Sequence, residues 1–275
     1  MVVYEPGDWF QAVLDGVAAQ DYSNIKSLFL VVGDAGDLPA TIRAKVPNAF
    51  VRAVDGNPGF GTAANEVLHL VEGENGFFCF LHDDVALDAG AIRLLVEEVY
   101  RSNGGIVGPK LVQWDRPRVL QHVGLAVDRF GEVDALIEPG ELDQEQHDAV
   151  RDVFAVPTAC MLVRADLFRA IGGFDTSIEY TGDDIDICWR AHLGGARVLV
   201  VPAARGRHRE RLADRRADAL SAARSARTRM RTVLTLTGGQ RLPLVLLQLV
   251  VMTLTESIVF LLTGRLRLML ASLGS

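Results

Sequence analysis

The stretch Phe77-Phe78-Cys79-Phe80-Leu81-His82-Asp83-Asp84 decides the fold. Five consecutive apolar residues, short and rich in aromatics, predict a strand covered on both faces, as in a parallel or mixed sheet. Acids follow at its carboxyl end, where open α/β sheets present ligands. Hard cations such as Mg2+ and Mn2+ take carboxylate oxygens and share coordination with substrate phosphates. Asp83, Asp84 and the adjacent His82 are therefore candidate binding residues. The alternative is a solvated turn or a cap for the next helix. Asp88 is the better placed cap, yet taken alone the motif leaves both readings open.

Outward from this strand the chain alternates strand and helix signals. Upstream, residues 2–4 read as the tail of a strand whose beginning lies outside the chain. Phe10, Val13, Leu14 and Val17 form a helical stripe, 27–32 and 49–54 read as strands, and Thr62 starts a helix carrying Ala63, Ala64, Val67 and Leu68. Downstream, Ile92, Leu95, Val96 and Val99 form another helix, and 106–112 and 119–127 are strands with a turn at 128–131. The acidic stretch 132–152 reads as a loop. Apolar 154–163 leads to a short helix at 166–171, closed by Gly172 and Gly173. Ile185, Cys188, Trp189 and His192 mark a further helix, and 198–201 is a last strand ended by Pro202. This order predicts an α/β sheet with helices on its faces.

With 275 residues, 49% hydrophobic and 23% charged, the chain is a folded protein and not a disordered one. Its net charge of −7 is uneven: 205–231 holds ten Arg against Glu210, Asp214 and Asp218, so that stretch is positive and the remainder strongly acidic. One segment alone thus calls for an anionic partner. Cys79, Cys160 and Cys188 form no C-x-x-C pair and sit in apolar runs, which predicts buried thiols in a reducing compartment. The N-terminus lacks the basic and apolar regions of a signal peptide. Past an Arg/Ala-rich helix expected over 209–231, residues 242–262 are almost wholly apolar, close to the ~20 residues that span a bilayer. This segment spans, lies in the interface, or is a buried core helix. Its Arg-rich flank argues for an anionic membrane surface on the cytoplasmic side; nucleic acid could also explain the Arg run, but the adjacent apolar segment fits a membrane better.

Three further constellations bear on chemistry. In 181–190, Asp183 and Asp184 open a helix, and Asp186 lies four residues before Arg190. Acids at a helix N-terminus and an Asp–Arg surface pair are ordinary, but a carboxylate here can also serve as a general base. In 57–65, Gly59 and Gly61 precede a helix start, where backbone N–H groups can meet a ligand; by itself this stretch fits a plain tight turn better. His208, six residues past Pro202, is by itself unremarked.

Taken together and in this order, these stretches resemble family 2 glycosyltransferases with the GT-A fold, over residues 2 to 208. The resemblance implies a Rossmann-like nucleotide-binding mixed sheet flanked by helices over 1–208; composition adds a basic helix and an apolar membrane-associated segment over 209–275. It implies that Asp34 contacts the nucleobase, that Asn57, Gly59 and Asn65 lie beside the donor, and that His82-Asp83-Asp84 stands at the D-x-D position, with Asp84 on the metal. Gly172-Gly173-Phe174-Asp175 followed by Asp183-Asp184 resembles the G-G-F-D…E-D-x-D pattern, which makes Asp184 the base. His208 matches the late His that completes the metal site. His82 departs from the usual Asp or Asn, and Asp183 from the usual Glu.

The resemblance further implies an inverting, Mn2+- or Mg2+-dependent transfer from a nucleotide-sugar donor to a glycan or lipid-linked acceptor, most like the rhamnosyltransferase-like group of bacterial cell-envelope synthesis. Two other readings compete. A nucleotidyltransferase would need a Gly-rich, Arg-containing loop where residues 5–9 read Glu5-Pro6-Gly7-Asp8-Trp9. A catalytically degenerate, membrane-associated scaffold is favoured only by His82.

Overall fold

The computed structural model describes residues 1–73, 75–128, 132–178, 181–210, 227, 230–231, 233–234 and 237–262. Strands β1 (Val2–Val3), β2 (Leu28–Val32) and β3 (Phe50–Val54) pair in parallel in the order β1-β2-β3. A parallel bridge between Val2 and His82 joins this sheet to β4 (Phe77–Leu81). Beyond β4 come β11 (Cys160–Arg164) and β6 (Ile106–Gln113), antiparallel, then β12 (Val198–His208), parallel to β6. β5 (Val85–Leu87) and β10 (Arg151–Asp152) run antiparallel to β12, and β7 (Leu120–His122) antiparallel to β6. β8 (Ala126–Val127) and β9 (Val133–Asp134) form a separate hairpin. The result is the mixed sheet expected, with the end of β4 at its seam.

Helices cover both faces because their apolar stripes match it. Phe10, Val13 and Leu14 of α1 (Phe10–Ala18) and Ile42 of α2 (Leu38–Lys45) pack on Phe29 and Val31. Leu95, Val96 and Val99 of α5 (Ala91–Ser102) pack on Val107, Leu111 and Leu199. On the other face, Phe168 of α6 (Ala165–Ala170) and Ile187 and Cys188 of α7 (Asp183–Leu193) join Phe80, Ile106 and Phe174. Each such side chain contributes ~1.5–3 kcal/mol on burial. Cys160 and Cys188 are buried and Cys79 partly so; all three are free thiols.

Several expectations need correction. The helix expected from Thr62 begins at Phe60 and splits into α3 (Phe60–Ala64) and α4 (Val67–Leu70). At the junction the bonds tighten to three-residue spacing, Glu66 N–H to Ala63 O at 3.1 Å and Leu68 N–H to Asn65 O at 2.9 Å. Asp88 does not cap α5 with its side chain. Gly90 and Ala89 separate it from the helix, and Gln20 Oε1 accepts the Ile92 N–H instead, at 3.0 Å. β12 does not end at Pro202. A register shift between Val201 and Arg205 takes up the proline as a bulge, and the strand continues to His208 between β6 and β5.

The 132–152 segment is anchored, not patternless. Buried Lys110 of β6 holds Asp143 at 3.0 Å and also pairs with Asp148, while Asp143 N–H donates to Arg118 O at 2.8 Å. The turn expected at 128–131 and most of the helix expected over 209–231 lie outside the described residues. Last comes α8 (Leu242–Leu262), 21 residues of mean hydropathy 2.2 and long enough to cross a membrane by length and composition. Leu249 and Ser257 are covered, but Leu247, Val250, Leu254, Ile258 and Leu262 stand open. A core helix would bury them.

Candidate active site

The end of β4 and the end of β12 bring three ligand-bearing side chains together. The His82 amide donates to Ala159 O at 3.0 Å, and the Arg209 amide to Asp84 O at 3.0 Å, which pins the last turn of β12 to the residues after β4. His208 Nε2 lies 3.5 Å from Asp84 Oδ1, and His82 Nδ1 lies 4.0 Å from the same oxygen. One ligand atom from each of His82, Asp84 and His208 falls within 4.8 Å of the others. Asp84 and His208 are 4% and 7% exposed. Phe60 packs edge-on to the His82 ring at 4.8 Å.

This donor set fits a divalent cation. Burial holds His82 down to about 4, with Asp84 opposing and His208 adding to the fall. A third of that side chain is open, yet its Nε2 is covered, and both it and His208 Nδ1 are buried without a hydrogen-bond partner among the described residues. The neutral imidazole is the form that ligates. Two imidazoles and one carboxylate suit a first-row ion such as Mn2+ better than Mg2+, which prefers oxygen throughout. His82 thus belongs to the group that could hold a cation, whereas the resemblance placed only Asp84 and His208 there. No motif in the sequence singles out His122 on β7. Burial and then His208 push it down to about 4, and its Nδ1 has no partner among the described residues. A lone His in an apolar strand carries no signal that would have found it.

The three acids of α7 divide in role. Asp186 is 3% exposed and pairs with Arg190, whose Nη1 also donates to Ile171 O at 2.7 Å and Gly173 O at 2.8 Å. The pair read as an ordinary surface feature is therefore a buried clamp on the Gly172–Gly173 turn. Asp183 is 7% exposed, and its Oδ1 has no hydrogen-bond partner among the described residues. Burial, then the charges of Asp184 and Asp186, raise it to about 7. Asp184 accepts the Ile185 N–H at 2.9 Å, and burial raises it to about 6 against that bond. Both acids are tuned toward the range a general base needs near neutral pH.

Gly61 links the two halves. A Cβ there would lie 3.0 Å from Asp183 Oδ1 and 3.1 Å from Phe174 Cβ. Its neighbour Phe60 touches His82, so α3 lies between the acids of α7 and the His82–Asp84–His208 group. Asn65 serves the scaffold: Oδ1 accepts the Phe174 N–H at 2.9 Å and Nδ2 donates to Phe174 O at 2.8 Å. Asp83 is engaged as well, accepting the Tyr4 N–H at 2.8 Å and tying the end of β1 to the end of β4. Asp34 and Asn57 form exposed turns, accepting the N–H of Gly36 at 3.1 Å and of Gly59 at 3.2 Å. Asp34 follows β2, beside Gly33 and the Tyr4 ring. Gly59 holds φ 86°, with open space where a side chain would stand.

Comparison with known proteins gives a consistent result. The family model described as "Glycosyltransferase like family 2" matches residues 3–234. The O-antigen biosynthesis protein RfbC of Myxococcus xanthus is 29% identical over 147 residues, 51% of this chain and 11% of that protein. The pre-mycofactocin glycosyltransferase of Mycobacterium tuberculosis is 28% identical over 156 residues, 55% of this chain and 30% of that protein. The match thus spans less than a third of either curated relative. Among solved structures, GalNAc-T7 with UDP, GalNAc and Mn2+ superposes with TM-score 0.60 at 12% identity, covering 75% of this chain and 42% of that one. The mannosyltransferase PcManGT of Pyrobaculum calidifontis, with GDP-Man and Mn2+, gives 0.55 at 14%, covering 99% and 83%. At these identities the likeness is one of fold, the GT-A fold.

Proposed function

The chain belongs to glycosyltransferase-like family 2, and on that premise we propose that it moves a sugar from a nucleoside-diphosphate donor to a hydroxyl of a lipid-linked or cell-envelope glycan, with inversion and with a divalent cation. The observation that carries this reading is the convergence on α3: His82, Asp84 and His208 on one side, raised-pKa Asp183 and Asp184 on the other.

Asp84, His208 and His82 would hold the cation, with Mn2+ favoured over Mg2+ by the two imidazoles. Bound there, a divalent cation supplies Lewis acidity that neutralises charge on a departing nucleoside diphosphate. Asp184 takes the proton from the acceptor hydroxyl as that oxygen attacks the anomeric carbon from the face opposite the leaving group. Its pKa of about 6 leaves it ionised at neutral pH and still basic enough to accept a proton. Asp34, next to Gly33, takes the nucleobase, and Asn57 and Gly59 lie beside the donor. Residues 1–208 form the catalytic part. In 209–275, the Arg-rich stretch faces an anionic cytoplasmic leaflet and α8 gives its open apolar side to the bilayer. The O-antigen biosynthesis protein among the bacterial relatives supports that setting.

The test is a thermal-shift panel of UDP, dTDP and GDP, each with and without Mn2+. A ligand at 100 times its Kd stabilises by ~2.7 kcal/mol. A Mn2+-dependent shift with one nucleotide is expected; no shift with any of them would sink the reading.

A further inference from the structure

The described residues that precede α8 reach the loop before α7. Arg231 pairs through Nη1 with Asp175 Oδ2, across 56 positions of sequence. Two positions on, Val233 is fully buried. The other oxygen of Asp175 accepts the Ser177 N–H at 2.9 Å and the Ser177 hydroxyl at 2.8 Å. Burial would raise Asp175, but Ser177 and then Arg231 outweigh it and hold the carboxyl below its ordinary range. Asp175 O accepts the Ile178 N–H at 3.1 Å and closes the 175–178 turn.

That turn and Asp183 meet at Gly61. A Cβ on Gly61 would touch Asp183 Oδ1 at 3.0 Å, Phe174 Cβ at 3.1 Å and Asp175 O at 3.6 Å, so the three groups share one contact point. Asn65 grips Phe174 from α3, and Arg190 grips Gly173 from α7. Arg231 is the grip from outside the α/β layers.

We propose that Arg231 is a positioning residue: through Asp175 it holds the 174–178 turn against Gly61 and so fixes Asp183 and Asp184 relative to the His82–Asp84–His208 group. The seat of the acids is then completed by the segment that leads to the apolar helix, and docking of that segment is coupled to turnover. The inference rests on the transferase reading for its kinetic arm alone.

The experiment uses the full chain, as wild type, Arg231→Ala, Arg231→Lys and Asp175→Asn. Hydrogen exchange is followed over 172–187, together with the Mn2+-dependent thermal shift by the nucleotide that binds and hydrolysis of the matching sugar nucleotide. For Arg231→Ala, exchange in 174–186 should quicken about fivefold, equivalent to the ~1 kcal/mol that a half-exposed ion pair contributes at most. Turnover should fall about tenfold or more, toward the hundredfold that ~1 Å of misplacement costs. The nucleotide shift and the donor KM should hold. Lysine should restore part of both losses, and Asp175→Asn should reproduce them. Unchanged exchange with Arg231→Ala overturns the proposal, as does a loss of nucleotide binding that matches the loss of turnover. Should the wild type bind no nucleotide, the transferase reading fails while the exchange data still decide the role of Arg231.

Discussion

Asn65 and Phe174, 109 positions apart, share two hydrogen bonds between one side-chain amide and both polar groups of one backbone residue. The pairing fixes α3 against the loop before α7. It also explains Gly173, where φ is 73° and a Cβ would come within 2.5 Å of Asn65 Oδ1. Asn65→Ala leaves two part-buried backbone groups unsatisfied, at ~1–3 kcal/mol each. The melting temperature should drop by about 2–4 °C per kcal/mol lost. A variant within a degree of wild type would show that water replaces the amide.

Asp184→Asn removes the proposed base while keeping shape and the acceptor oxygen for Ile185 N–H. Turnover should fall by about 10²–10⁴, with the cation-dependent nucleotide shift intact. Near-normal turnover would move the role elsewhere, with Asp183, next along the helix, as the first candidate.

Asp84→Ala and His208→Ala each take one ligand from the three-residue group and should abolish the Mn2+-dependent part of nucleotide binding. His82→Ala should weaken it and narrow the advantage of Mn2+ over Mg2+, since one imidazole is lost. A titration of the thermal shift against each ion checks this. Equal ion preference in wild type and His82→Ala would place His82 outside the ligand set.

Acid pH should slow the reaction as Asp184 protonates: the rate is expected to fall about tenfold per unit below its pKa of about 6. Stability should move the other way. The folded-state value of Asp183, about 7, stands above its ordinary 3.8, so its contribution is fully present below pH ~4 and is lost as pH rises through 7. Asp183→Asn should therefore raise the melting temperature more at pH 8 than at pH 5. Equal shifts at the two values would mean the carboxylate is not desolvated as its burial implies.

The chain should partition onto vesicles containing anionic lipid, more strongly at low salt, because each Arg near such a surface contributes ~1 kcal/mol and screening removes it. Deleting 242–262 should leave a weaker, wholly salt-sensitive association. Sedimentation of the intact chain free of vesicles at low salt would overturn the membrane reading.

Legibility in the sequence followed the range of the interactions concerned. β4 and the acids after it were readable because burial on two faces demands an apolar run, and a run that short admits a strand. The stripes of α1, α5 and α7 were readable for the same reason, and the length of α8 stood in its composition. Pro202 misled because a proline ends a strand unless a bulge absorbs it, and the bulge depends on β6 and β5 lying on either side. Asp88 misled because Gln20, 72 positions from Ile92, competes for the same amide.

The sequence alone determined the α/β class and the family, since these rest on local periodicity and on motifs whose order survives without coordinates. The tertiary structure decided which polar groups meet. It placed His82 beside Asp84 and His208, turned Asp186 and Arg190 into a buried clamp, gave Lys110 its two acids, and set Asp183 against Gly61. Each of these joins residues whose separation is set by the packing of whole elements, and whose charge state follows from the burial that packing creates.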